Sequence, residues 1–338
     1  MNGIFMTQSQ YDVLAIGNAL VDILCSTDDK LLAKHDIQKG SMTLISDDKA
    51  KNIYADMGQT RQVSGGSAAN TVAALANLGG KAAFIGAIAD DEIGNTFKHD
   101  IQASGVDFYG FTHQEEIPGT GRCNILVSDD AERTMATYLG CAGNIPETAL
   151  DNDVLKKSEI TYVEGYLWDM DVTKNTIKSA LDIVAQSGKK SAFTLSDVFC
   201  VERHRGEFLD LIKNKFDIIF ANEDEVKSLF EVDTFDAALQ ETRQLNKLFI
   251  ITRGALGSVV VSGDVVHIID SVKPAQLIDT TGAGDSFAAG FLYGLTQEMS
   301  YYDSAVIGSI AASEMISHFG ARAVSNLADL VQEVKKAA

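Results

Sequence analysis

Short apolar runs alternate with helix-compatible stretches along most of this 338-residue chain. YDVLAI at 11–16, AAFIGAI at 82–88, ITYVEGY at 160–166, SAFTLSD at 191–197, IIFAN at 218–222 and FIITRG at 249–254 read as strands, most of them carrying polar or glycine residues at the C-terminal end. Between them, 67–79, 91–104, 171–187 and 223–230 carry apolar residues at helical spacing, with Gly79-Gly80 and Gly105 as stop signals. Strands alternating with helices predict an α/β fold, a doubly wound and mostly parallel sheet flanked by helices with right-handed crossovers. Ligands of such sheets sit beyond the carboxyl ends of the strands, where these polar residues fall.

Composition narrows the function classes. A formal charge of −19 disfavours nucleic-acid binding, which depends on Lys and Arg neutralising phosphates. No apolar window is long enough for a membrane span, and MNGIFMTQSQ lacks the basic start and apolar core of a signal peptide. Cys25, Cys123, Cys141 and Cys200 are scattered without a C-x-x-C pair, as expected of a reducing cytoplasm, and six scattered histidines form no zinc pattern.

The stretch IDTTGAGDSFAAG at 278–290 carries the clearest chemistry. Phe287, Phe291, Leu292 and Leu295 mark a helix, with Thr280 and Thr281 where an N-cap belongs. Bare glycine backbone lets the amides of Gly282, Ala283, Gly284 and Asp285 converge on an anion at the positive helix end. Asp285 then stands as a proton acceptor beside developing negative charge, the pairing that phosphoryl transfer to a hydroxyl requires. The plain alternative is an acidic first-turn residue after a tight turn. The absence of a following Lys excludes a G-x-x-x-x-G-K-[ST] loop, and Phe287 stands where a dinucleotide fingerprint would need its third glycine.

This segment resembles the D-T-x-G-A-G-D signature of the ribokinase-like (PfkB) carbohydrate kinases, and GGSAANTVAALANLGGKAAFIGAIADDEIG at 65–94 resembles their first signature. The resemblance spans nearly the whole chain and is nearest the adenosine kinase and sugar kinase branch. It implies a single ribokinase-like domain over 1–338 with a small β-sheet lid from about 31–62 and 113–138. The pattern by itself also allows these stretches to be hairpins extending the main sheet. Matched to the family motifs, Gly65, Gly66 and Asn70 line the acceptor pocket, and Asn18 and Asp22, at the end of the first strand, bind sugar hydroxyls. Asp22 could equally cap a turn. Arg133, on the lid, reaches toward substrate or the transferred phosphate, or is merely solvated.

Asn222 and Glu225 match an N-x-x-E motif tied to Mg²⁺ and phosphate, with Glu225 acting through water; the same residues read as an N-cap and an acidic first turn. Thr252, Arg253, Gly254 and Gly257 resemble a T-[KR]-G-x-x-G nucleotide loop. Ala311, Ala312, Ser313, His318, Phe319 and Gly320 resemble an adenine-side wall, and Asp279 and Thr281 match positions that hold K⁺ in some relatives. The implied activity is ATP- and Mg²⁺-dependent phosphorylation of a primary hydroxyl on a sugar or nucleoside by a monomer or homodimer. Adenosine and a monosaccharide, including a keto-deoxy acid, stand as rival acceptors. A noncatalytic ligand-binding relative is the reading from another class.

Overall fold

A computed structural model describes residues 9–114, 118–130 and 132–337. Its main sheet has nine strands in the order Val265–Ile269, Ser258–Ser262, Leu248–Thr252, Ile218–Asn222, Lys190–Thr194, Ser158–Glu164, Tyr11–Ile16, Ala82–Ile85 and Val106–Phe108. All neighbours are parallel except the two antiparallel pairings made by Ser258–Ser262. The strands are near-continuous apolar runs because helices cover both faces. Val13, Phe84, Phe220 and Ile250 pack on the side of the helices Ser67–Asn77, Ala283–Thr296 and Tyr301–Met315. Leu14, Ile85, Phe193 and Ile219 pack against Asp171–Gln186 and Val198–Asn214. Successive residues thus serve opposite cores, as strand geometry demands.

Chain order reverses around Tyr11–Ile16, with later strands added on one side from Ala82 and on the other from Ser158. A crevice opens at such a switch point, beyond the strand ends. The run AAFIGAI does not stay in one strand. It breaks at Gly86, and Ala87–Ala89 pairs with Phe111–His113 in a separate two-stranded sheet.

A second sheet, of Met42–Leu44, Arg133–Tyr138, Gly121–Val127, Leu20–Ser26 and Arg61–Ser64 in that order, forms one wall of the crevice. It differs from the expected lid in composition. Asp22, expected at the end of the first strand, lies instead in Leu20–Ser26, which belongs to this sheet and pairs with Gly121–Val127 and Arg61–Ser64. That strand's alternating burial explains the transfer, since one face packs inward while Leu20 and Asp22 line the cavity. The stretch 31–62 also holds helical turns, Asp29–Lys34 and Asp47–Asp56, capped by Asp28 and Ser46. Residues 1–8, 115–117, 131 and 338, which the sequence reading had included, lie outside the described residues.

Candidate active site

A cavity of about 790 Å³ lies between the second sheet and the carboxyl ends of the main strands. The Ala283–Thr296 helix enters it N-terminus first. Its N-cap is Gly282, left-handed at φ 76°, with no side chain capping the helix. That corrects the expectation that Thr280 or Thr281 caps it. Ala283 also falls out of the expected anion nest, because its amide donates to the Thr280 carbonyl and the residue does not line the cavity. Gly282, Gly284 and Asp285 do line it, at the positive end of an uncapped helix.

Asp285 is held by two donors from the start of the Ser67–Asn77 helix. Ser67 Oγ donates to one carboxylate oxygen at 2.7 Å and Asn70 Nδ2 to the other at 3.1 Å. Burial pushes the Asp285 carboxyl up to about 6, while these two hydrogen bonds and Arg322 pull it down. A carboxylate so placed is ionised at neutral pH yet basic enough to take a proton. Because its nitrogen is committed to Asp285, Asn70 keeps Oδ1 buried and without a partner.

Asn18 has the same arrangement one strand away. Its backbone amide and Nδ2 both donate to Glu164 Oε1, at 2.8 and 2.7 Å, and its Oδ1 is left unpaired in the cavity wall. Glu164 Oε2 accepts from the Ala68 amide at 2.8 Å, so one fully buried carboxylate joins the two strands at the switch point to the Ser67–Asn77 helix. Burial raises the Glu164 carboxyl to about 7 against those bonds. Asp22, from the second sheet, is likewise raised to about 7 by burial, with Arg322 and Arg133 opposing. A Cβ on Gly65 would stand 2.3 Å from Asp22 Oδ2, so any larger residue there would have to displace that carboxylate. Gly66 next to it needs φ 90° and approaches the Asn18 carbonyl as closely.

Arg133, from the second sheet, forms an ion pair with Asp279, and its Nη1 is buried without a partner. Asp279 also accepts the amides of Thr281 at 3.0 Å and Gly320 at 2.9 Å. Farther along the sheet, Asn222 and Glu225 both line the cavity and close on each other in a reciprocal capping box. Glu225 accepts from Asn222 N at 3.0 Å and Nδ2 at 2.6 Å, and burial raises its carboxyl to about 7. Among the described residues no cluster of three or more His, Cys, Asp or Glu side chains is arranged to hold a metal directly.

Residues 37–328 match the model of the pfkB family of carbohydrate kinases. The chain belongs to that family. An adenosine kinase from Sinorhizobium meliloti is 43% identical in structural alignment, with a TM-score of 0.91 over 98% of this chain and 100% of that one. A probable sugar kinase from Rhizobium etli CFN 42 is 40% identical, with a TM-score of 0.92 over 97% and 99%. Adenosine kinase 2 of Arabidopsis thaliana is 26% identical across 93% of this chain and 96% of its own length. The protein is a phosphotransferase with an alcohol group as acceptor, a kinase of sugars or nucleosides, in a family that works with ATP and Mg²⁺.

Within this pfkB kinase the cavity gathers Asn18, Asp22, Gly66, Asn70, Arg133, Asn222, Glu225, Thr252, Asp279, Thr281, Gly282, Gly284 and Asp285. It does not gather Gly65, which lies under Asp22, or the rest of the expected nucleotide loop. Arg253 donates to Glu223 at 2.8 Å and stacks on Phe235 at 3.9 Å, so its charge is already engaged. Gly254 and Gly257 serve the turn, at φ 55° and 84°. Ala311 is packed in the core, and His318 bonds Glu314 at 3.2 Å instead of walling the cavity. Sequence reasoning passed over Ser67, Glu164 and Arg322. For Glu164 a signal existed: a lone carboxylate ending a buried strand needs donors.

Proposed function

We propose that this kinase phosphorylates the primary hydroxyl of a ribonucleoside, adenosine first among them, with Asp285 as general base. One observation carries the acceptor class: the second sheet gives the cavity an apolar stretch of Leu20, Met42, Leu44, Ile125 and Met135 beside its own Asp22, Arg133 and Thr137, and further polar groups gather around Asp285. An apolar wall suits a base, and polar atoms suit a ribose. The unpaired Asn18 Oδ1 and Asn70 Oδ1 and the Asp22 carboxylate can accept from ribose hydroxyls. The likeness to an adenosine kinase at 43% identity supports the same class.

In the reaction the acceptor O–H proton passes to Asp285 as its oxygen bonds the γ-phosphorus, the β–γ bridging P–O bond breaks, and ADP leaves. The amides at the uncapped helix start, Gly284 and Asp285 with Gly282 before them, face the charge that develops on the transferred group. Thr252 and Asn222 would flank the nucleotide, while Arg253, Gly254 and Gly257 support that loop from behind. The donor set fits Mg²⁺ held mainly by phosphates and water, with Glu225 in its outer shell, since direct protein ligands are few. When bound, Mg²⁺ supplies charge neutralisation on the triphosphate. Arg133 would reach the transferred phosphate by leaving Asp279. K⁺ at Asp279 and Thr281 would have to share that carboxylate with Arg133, so the reading gives it no part in the step. The four cysteines are free and buried, which supports a reducing, cytoplasmic setting.

ADP release measured across adenosine, other ribonucleosides, ribose, hexoses and a keto-deoxy sugar acid tests the assignment. Adenosine should give the highest kcat/KM, by roughly tenfold or more over any free sugar, since losing an apolar contact group costs about 1–3 kcal/mol. A preferred monosaccharide or sugar acid overturns the acceptor class, and no turnover with any acceptor favours a noncatalytic relative.

A further inference from the structure

The segment between the helices Tyr301–Met315 and Leu327–Ala337 makes three consecutive contacts with the site. Gly320 donates its amide to Asp279. Ala321 backs the Gly282 turn so closely that a Cβ on Gly282 would lie 3.0 Å from its own Cβ. Arg322 reaches across to the Gly65–Gly66 turn. Its Nε donates to the Ser64 carbonyl at 3.3 Å and its Nη1 to the Ala69 carbonyl at 3.2 Å, 258 and 253 residues away in sequence.

Those two carbonyls flank the Gly65–Gly66 turn. Ser64 is the last residue of a second-sheet strand, and Ala69 lies in the first turn of the helix that carries Ser67 and Asn70. Ser64 Oγ is also fixed by Asp100 at 2.7 Å. The turn has glycine backbone at φ 90°, with no side chain of its own to lock it. A guanidinium is suited to this task because its fork reaches two acceptors from one rigid plane.

We propose that Arg322 is a positioning residue for phosphoryl transfer: it fastens both sides of the Gly65–Gly66 turn, and so aims Ser67 and Asn70 at Asp285, while keeping a positive charge within electrostatic reach of Asp22 and Asp285. This inference rests on Asp285 being the base. Its third nitrogen, Nη2, is buried without a partner, a costly state for a group with only structural work to do. Its charge acts on Asp22, Asp100 and Asp285, and burial lowers the guanidinium itself to about 10.

The groups facing Asp285 come from four elements: Ser67 and Asn70 from the helix, Asp22 from the second sheet, Tyr162 and Glu164 from the strand at the switch point, and Arg322. Asp22, Glu164 and Tyr162 can add only negative charge there, so Arg322 is the cation that acts on Asp285. Removing it takes away a counter-charge, raises the Asp285 carboxyl and moves the acid limb of the reaction to higher pH.

The test is kcat/KM for the acceptor from about pH 5 to 9 in Arg322→Ala, Arg322→Gln and Arg322→Lys, with KM for ATP and a thermal melt of each. Alanine and glutamine should lower kcat/KM about 10–100-fold. They should shift the acid limb upward while KM for ATP stays within about twofold. Lysine keeps the charge but not the fork, so it should restore the limb and only part of the rate. If the alanine variant does not fold, the glutamine–lysine contrast decides. An acid limb at the wild-type position in the glutamine variant, with any loss of rate matching a loss of folded protein, overturns the proposal. Asp285→Asn run alongside separates the two ideas: an active Asp285→Asn removes the base itself, whereas an inactive one with an unmoved limb in Arg322→Gln removes only the role of Arg322.

Discussion

Asn18 and Asn70, which line the cavity, each give an amide nitrogen to a carboxylate and leave the oxygen buried and unpaired. Three strands along the same sheet, Asn222 and Glu225 satisfy each other, and Arg253 is satisfied by Glu223 and Phe235. The two regions carry comparable motif residues but hold them in different states. Around Asp285, buried polar atoms remain unpaired, a cost that a bound acceptor can relieve. Around Asn222, the polar side chains close the strand-to-helix corner. On the proposed function, side chains discriminate at the acceptor, while backbone and space receive the nucleotide.

That contrast can be broken by substitution. Asn70→Ala should have the largest effect of the three considered first, because it removes a charge-assisted hydrogen bond on Asp285 as well as an acceptor for substrate. A bond of that kind contributes about 1.5–3 kcal/mol, so kcat/KM for the acceptor should fall roughly 10–100-fold with KM for ATP little changed. Equal losses for both substrates would erase the distinction between the regions.

Glu225→Gln should act mainly on stability, by about 1 kcal/mol, the usual scale of a cap. The sign depends on pH. The Glu225 carboxyl is raised from its ordinary 4.5 to about 7, so its contribution is fully present below about 4.5 and is lost as pH rises through 7. The melting temperature of the glutamine variant should therefore gain on wild type between pH 5 and 8; a constant difference would show that the buried charge does not matter. Smallest of all, Arg253→Ala should change stability by under about 1 kcal/mol and raise KM for ATP less than about threefold. A tenfold increase would mean that Arg253 leaves Glu223 to bind phosphate, and the two regions would then be alike.

Much of this was legible in the sequence, and the misses have physical causes. Alternating strand and helix patterns located the parallel sheet, and glycines beside Asp285 located an uncapped helix start at the cavity, because both are local signals. Asp22 does not end the first strand, because a turn of a few residues after Ile16 sends the chain into another sheet, and sheet membership is set by partners far away. Glu164 looked like the polar end of a strand; its role comes from amides 146 and 96 residues distant. Thr280 and Thr281 were read as caps because threonine favours that position, yet the helix starts one residue later at a left-handed glycine. Leaving the helix end uncapped costs stability and keeps its amides available.

The central claim is that Asp285 takes the acceptor proton. Phosphoryl transfer in a preformed complex with ATP, Mg²⁺ and adenosine, followed by rapid quench in wild type and Asp285→Asn, addresses it most directly. Loss of a general base lowers the rate about 10²–10⁴-fold, so the asparagine variant should bind ATP normally and transfer at least a hundredfold more slowly. Transfer within about threefold of wild type would contradict the account.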